Sequence, residues 1–209
     1  MATVIYFLRH GETNSNKNKF IQGHLDIPLN QNGLKQAELA GKKLQKIHFD
    51  AIYSSDLSRA LKTAEYAANG KEIIHLAELR EWYLGDWQGK SFAEIEKLYP
   101  DELQLYRECS PDFTPKSGES KKEFRKRISD TMKKLAEKHP DGTILCVSHG
   151  GFIRTALLNV MNMERFHTRP RTDNTAISCF KTSDNGKSWQ LIFWNDTCHL
   201  ENFTESEGV

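Results

Sequence analysis

Two short stretches hold the residues best suited to chemistry. Arg9-His10-Gly11 follows an apolar run, Thr3 to Leu8, and Ser148-His149-Gly150-Gly151 follows another, Thr143 to Val147. Both runs are rich in β-branched, aliphatic and aromatic residues and read as buried strands. In an open α/β sheet, ligands gather at the carboxyl ends of the strands. Each histidine falls where its strand should end. If the two strands are neighbours in a parallel sheet, the imidazoles face each other. One strand-terminal histidine reads equally well as a satisfied residue in an ordinary turn. Two of them, with Arg9 beside one, define a candidate site.

Arg59 joins them by placement. It lies in the first turn of the helix expected after the strand that ends at Tyr53-Ser54, on the same sheet edge. A solvated arginine on a helix face is the alternative. Together Arg9, Arg59, His10 and His149 would form a compact cationic pocket. Helix N-termini after Gly11 and Gly150 would add backbone N–H donors. A dianionic phosphoryl group suits such a pocket, because a guanidinium donates two parallel hydrogen bonds. Glu81 sits in Leu79-Arg-Glu-Trp-Tyr-Leu-Gly-Asp-Trp-Gln-Gly89, where large apolar neighbours would desolvate it, as a general acid requires. Glu78, Glu81 and Asp86 also read as surface charges on a loop whose tryptophans pack on the core.

The elements that must position these residues alternate along the chain. Asn30 is a plausible N-cap for a helix whose apolar residues Leu34, Ala37, Ala40, Leu44 and Ile47 recur at helical spacing. Phe49 to Ser54 reads as a strand, Ser55-Asp56 as a cap, and Leu57 to Ala68 as the next helix. Glu72 to Leu76 is a further short strand. Helices are expected over about Phe92–Leu98 and Asp101–Glu108, with Pro100 between them. Ser120 and Glu123 form a capping box before a helix to about Lys138, with Phe124, Ile128, Met132 and Leu135 as its buried stripe. After the Thr143–Val147 strand come a helix over Phe152–Val160 and two strands, Ala176–Lys181 and Trp189–Trp194. This order implies a three-layer α/β fold, a mostly parallel sheet with helices on both faces. A small helical lid excursion spans about 91–118, within a single domain covering 1–209.

Composition narrows the function classes. With 29 Lys+Arg against 28 Asp+Glu, the net charge of +1 creates no global field for nucleic acid or an anionic membrane. No apolar run approaches the roughly 18 residues of a spanning helix. The N-terminus has no signal-peptide pattern, and the cysteines at 109, 146, 179 and 198 include no CxxC pair. A disulfide framework or zinc site is not expected. Reduced thiols and a cytoplasmic location are.

Several motifs in order give the chain a wider resemblance. Leu8-Arg9-His10-Gly11-Glu12-Thr13 with Asn16, then Gln22-Gly23 and Tyr53-Ser54-Ser55-Asp56-Leu57-Ser58-Arg59-Ala60, resemble the histidine phosphatase superfamily. The branch resembled is the phosphoglycerate mutase-like one. Leu79-Arg80-Glu81, Gly85-Asp86-Trp87-Gln88-Gly89, Gly118-Glu119-Ser120, Val147-Ser148-His149-Gly150-Gly151 and Asn195-Asp196-Thr197 with His199-Leu200 extend the match over nearly the whole chain. The resemblance implies that His10 is a nucleophile carrying a transient phosphoryl group. It makes Arg9, Arg59 and His149 phosphoryl ligands and Glu81 the proton donor and acceptor. It places Asn16, Gln22, Gly23 and Gly150 against the phosphate or the leaving group. It implies no metal and no cofactor, in keeping with the lack of GxxxxGK[ST] and HExxH motifs.

The activity implied is metal-independent hydrolysis of a small phosphorylated metabolite. One alternative is a cofactor-dependent phosphoglycerate mutase. The mutases resembled are longer and carry adjacent arginines before the Gly-Glu-Ser motif. Here the comparable stretch reads Leu105-Tyr106-Arg107-Glu108, a charge reversal at the second arginine that favours the phosphatase. Lys121, Lys122 and Arg125 offer compensating cations. Family phosphatases act on sugar phosphates, phosphoglycerates and related monoesters. Phe92, Tyr99, Tyr106 and Phe113 in the excursion would give the site partly apolar walls. A non-catalytic phosphate-binding or protein-interaction module is the other alternative, disfavoured because His10, Arg59, Glu81 and His149 are all present. A homodimer is left open.

Overall fold

A computed structural model of the protein describes residues 2–166 and 168–201. The elements run β1 (Thr3–Arg9), α1 (Asn14–Lys17), α2 (Gln31–Leu44), β2 (Ala51–Ser54), α3 (Ser58–Ala68) and β3 (Ile74–His75). Then follow α4 (Phe92–Leu98), α5 (Pro100–Arg107), α6 (Lys121–Lys138), β4 (Thr143–Ser148), α7 (Gly150–Val160), β5 (Ile177–Thr182) and β6 (Gln190–Asp196). The sheet order is β3-β2-β4-β1-β5-β6. The first four strands are parallel, and β5 and β6 add an antiparallel hairpin at one edge. The expected mostly parallel sheet is therefore present. β1 and β4 are direct neighbours, with Leu8 opposite Val147 and Arg9 opposite Ser148. That register delivers both strand-end histidines to one edge.

The pleat sorts the two core layers. Ile5 and Phe7 of β1, with Ile144 and Cys146 of β4, face α6 and α7 through Phe124, Ile128, Met132, Phe152 and Ala156. Their alternates Leu8, Leu145 and Val147 face α2 and α3, where small side chains, Ala40, Ala60, Ala64 and Ala67, bring the helices close. A third cluster, Leu84, Trp87, Ile95, Leu103 and Phe113, holds α4 and α5 together. Of the excursion's aromatics, Phe113 is fully buried, whereas Phe92 and Tyr106 line the cleft over the strand ends.

Helix starts follow the capping signals with one instructive exception. Asn30 accepts the Gly33 N–H, and the Ser120–Glu123 box forms as expected. Pro100 opens α5 at its first position, where the missing N–H has no intrahelical partner to lose. Neither Ser55 nor Asp56 caps α3. Leu57 takes that position, and the Asp26 carboxylate accepts the Ser58 N–H at 2.7 Å. Asp56 instead accepts a two-pronged bond from Arg80, and Ser55 pairs with His149. Tertiary partners displaced the local reading. α1 was not anticipated; a Thr13–Asn16 capping box supports this single turn.

Two glycines fix the loop after β1. A Cβ on Gly33 would lie 2.1 Å from the Glu12 carbonyl oxygen, and one on Gly11 would lie 2.4 Å from the Gly33 oxygen. The start of α2 can therefore dock backbone to backbone beneath His10. Among the described residues, no helix is long and apolar enough to cross a membrane.

Candidate active site

His10 and His149 sit at the adjoining ends of β1 and β4, 2% and 0% exposed, with ring centroids 5.2 Å apart. The His10 Nδ1 lies 2.7 Å from the Gly11 carbonyl oxygen. A carbonyl can only accept, so Nδ1 carries the proton and the lone pair of the neutral ring is on Nε2. Burial, then the charges of Arg59 and Arg9, hold His10 well below the ordinary histidine value. The bond to Gly11 opposes this more weakly. His149 is held down in the same way by burial, Arg59, His10 and Arg9. Its Nε2 meets the Ser55 hydroxyl at 2.9 Å, and its Nδ1 is buried without a partner.

Two guanidiniums frame these rings, and carboxylates act on them only from beyond salt-bridge distance among the described residues: Glu81 on both, Asp173 on Arg9 and Asp26 on Arg59. Arg59, 1% exposed, donates to the carbonyls of Leu25 and Gly23 at 2.7 and 2.8 Å. Arg9 donates to the Thr172 carbonyl. The Nε of each is buried and unpartnered. Among the described residues neither arginine makes a salt bridge. Burial pushes each down to about 10, still well above neutrality, so both stay charged. A buried cation with no carboxylate in contact is costly, and carbonyl dipoles and the more distant carboxylates offset only part of that. The arrangement is suited to an anion.

Glu81 faces the same cleft from the segment after β3. Its surroundings are more polar than its tryptophan neighbours imply. Oε1 accepts the Trp82 and Phe152 N–H groups at 2.9 and 3.0 Å, and Oε2 accepts the Gly151 N–H at 2.8 Å. The carboxylate thus caps the α7 N-terminus, where the helix dipole favours negative charge. Gly151 makes this approach feasible, since a Cβ there would stand 2.3 Å from Oε1. From behind, Arg127 of α6 gathers the carbonyls of Glu78, Arg80 and Glu81, and pairs with Glu119. The Gly-Glu-Ser motif therefore positions Glu81 through Arg127.

The remaining predicted residues converge on the cleft. Asn16, Gln22, Gly23 and Gly150 all line it, with Arg9, His10, Arg59 and Glu81; His149 lies just beneath. Asn16 Oδ1 accepts the Thr13 N–H and Gln22 Oε1 accepts the Thr13 hydroxyl. These bonds aim both NH₂ groups away from Thr13. Gly150 stacks on Arg9: a Cβ would lie 3.2 Å from its Nε.

The sequence reading did not single out the loop before β5. Asn174 donates to the His10 carbonyl at 3.0 Å, and Asn195 clasps Asp173 with both amide atoms. His199 donates to Thr175, whose own hydroxyl donates to the Asn174 carbonyl. The late Asn195…His199 motif thus braces the loop that holds Arg9 and His10. Arg154 was also missed. It lines the cleft one turn after Gly150, a spacing that could have flagged it. Lys121 and Arg125 hold backbone carbonyls, Lys121 that of Cys109 and Arg125 that of Met163 at 2.9 Å. Among the described residues no cluster of three or more His, Cys, Asp or Glu could hold a metal ion.

A mixed α/β sheet with paired strand-end histidines between buried guanidiniums defines a narrow class of protein. The model of the histidine phosphatase superfamily (branch 1) matches residues 5–197, and the chain belongs to that family. It is 35% identical to phosphoglycerate mutase-like protein 4 of Arabidopsis thaliana, over 94% of this chain and 86% of that one. It is 31% identical to a metal-independent phosphoserine phosphatase of the same plant, over 95% and 84%. A phosphoserine phosphatase from Entamoeba histolytica, solved with 3-phosphoglyceric acid, superposes with a TM-score of 0.86 at 32% identity, covering 95% of this chain and 99% of that one.

Depressed histidines make stability pH-dependent. Below about 6.5 the unfolded chain binds protons that folded His10 and His149 refuse, so stability falls as pH drops from 6.5 toward the depressed folded values. Urea unfolding in phosphate-free buffer between pH 6.5 and 5, above the carboxylate range, should show a slope of up to about 1.4 kcal/mol per pH unit for each histidine. His149→Asn should be shallower than wild type. An equal slope would mean that His149 is not held neutral.

Proposed function

We propose that the protein is a metal-independent phosphomonoesterase acting on small phosphorylated metabolites through a phosphohistidine on His10. The observation that carries this is the His10–Gly11 bond. It leaves a neutral Nε2 lone pair facing a cationic pocket. Nε2 attacks phosphorus and the ester P–O bond breaks. Arg9, Arg59 and His149 bind the phosphoryl oxygens and stabilise the charge that builds on them. Glu81 gives its proton to the departing alkoxide. It then takes one from the water that hydrolyses the phosphohistidine. Oε2 accepts one N–H where Oε1 accepts two, which supports Oε2 as the oxygen that holds that proton. The NH₂ groups of Asn16 and Gln22, with Gly23 and Gly150, contact the phosphate or leaving group. The two guanidinium charges do the work a metal would do.

Hydrolysis rather than mutase chemistry is supported by Arg107. It pairs with Glu96 at 2.9 Å, both side chains more than half exposed, and does not line the cleft. The phosphatase names of two of these relatives agree with this reading. Four free thiols, at Cys109, Cys146, Cys179 and Cys198, support action in the reducing cytoplasm.

His10→Ala should bring turnover of an aryl phosphate to the solution background while the circular dichroism spectrum is kept, and EDTA should leave the wild-type rate unchanged. Turnover in the variant, or loss of activity with EDTA, contradicts the mechanism. Gly151→Ala should displace the Glu81 carboxylate and lower kcat by about 10²-fold, near the effect of Glu81→Gln. Steady-state rates of the two variants, with thermal melts as a control, check this. A fully active Gly151→Ala enzyme would show that the seat on α7 is dispensable.

A further inference from the structure

The two strand-end histidines are held by different atoms of their rings. His10 is fixed through Nδ1, which donates to the Gly11 carbonyl, so its Nε2 is free. His149 is fixed through Nε2, which lies 2.9 Å from the Ser55 hydroxyl oxygen, so its Nδ1 is left over. A hydroxyl can donate or accept, and its other contacts decide which. Ser55 is 0% exposed, and among the described residues its hydroxyl has one other hydrogen bond, accepted from the Leu57 N–H at 3.4 Å. The hydroxyl proton therefore has one acceptor within reach, His149 Nε2. A buried hydroxyl proton rarely goes without an acceptor. Ser55 is also fixed relative to the strand that carries His149, because its N–H donates to the Val147 carbonyl at 2.9 Å.

We infer that Ser55 is a positioning residue: its hydroxyl donates to His149 Nε2 and so places the ring proton on Nδ1, which makes His149 a hydrogen-bond donor to the phosphoryl group. The inference rests on the phosphatase reading of the same cleft. Both histidines are then in the same tautomer, but they present opposite edges, His10 a lone pair and His149 an N–H. That difference divides nucleophile from ligand. An imidazole presenting a lone pair to a phosphoryl oxygen would repel it, since both are acceptors. With its proton on Nδ1, His149 joins Arg9 and Arg59 in having a buried N–H without an acceptor. Three such donors around one cleft call for an anion to accept from them. The role needs no imidazolium, a form that burial and the neighbouring guanidiniums oppose.

The long-range ¹H–¹⁵N couplings of the imidazole rings, recorded on labelled enzyme in phosphate-free buffer near neutral pH, read the tautomer directly. Signals missing from His149→Asn belong to His149. In wild type they should show an unprotonated, pyridine-like Nε2 and a protonated, pyrrole-like Nδ1. In Ser55→Ala the two nitrogens should move towards averaged values, and Ser55→Thr, which keeps the hydroxyl, should bring them back. Binding should follow the same order. The inhibition constant of inorganic phosphate should rise about tenfold in Ser55→Ala, with kcat/KM for an aryl phosphate falling in step, and recover in part in Ser55→Thr. Thermal melts check that each variant is folded. A protonated Nε2 on wild-type His149 overturns the inference whatever the variants do. So does a folded Ser55→Ala that keeps either the wild-type tautomer or the wild-type phosphate affinity. Failure of the underlying reading looks different: His149 would keep its Nδ1 proton, but wild type would neither bind phosphate nor hydrolyse the aryl ester.

Discussion

Positive charge held at the carboxyl edge of the sheet, with no carboxylate in salt-bridge contact among the described residues, is the constraint on which the site depends. Arg59 and Arg9 are held by backbone carbonyls, and their Nε atoms are buried and unpartnered. A buried cation of this kind is tolerated only where surrounding structure over-determines it. Much of the local architecture supplies that determination. The 22–25 loop presents its carbonyls to Arg59, and the loop before β5 presents Thr172 to Arg9. The Asn195…His199 motif clamps the latter loop in turn. Burial first, and then the same charge, keep the two histidines neutral, so that the charge that attracts an anion also helps to free the His10 lone pair.

Glu81 answers to a different device. Its carboxylate sits on the N-terminus of the helix that begins after His149, and Arg127 and His24 hold its backbone. The α7 N-terminus therefore lies between β4's histidine and the Glu81 carboxylate. Gly150 lets Arg9 approach and Gly151 lets Glu81 approach. Two adjacent glycines thus serve the cationic and acidic halves of the site. Neither needs a positive φ; Gly151 needs the missing Cβ, and at Gly150 its absence relieves a tight contact with Arg9.

The strands that carry chemistry were legible because their signal is local. Thr3–Arg9 and Thr143–Ser148 are continuous apolar runs, and the buried faces of α2 and α6 follow helical periodicity. Arg9, His10, Arg59 and Glu81 were legible as residue types at element ends, and the cleft contains them all. What failed was chemistry settled by tertiary partners. Ser55 and Asp56 have the right types for a cap, but His149 and Arg80 claim them. A second cavity adjoining the cleft is assembled from α5, α6, α7 and the segments near 82, 110 and 165, a convergence no local pattern encodes.

The central claim is that His10 Nε2, left free by the Nδ1–H bond to Gly11, takes the phosphoryl group. Rapid quenching into base after mixing with a ³²P-labelled phosphomonoester, followed by digestion and identification of the modified nitrogen, tests it most directly. The account predicts label on His10, at Nε2, appearing and decaying within a single turnover. Label on Nδ1, label on any other residue, or turnover with no covalent intermediate would contradict it.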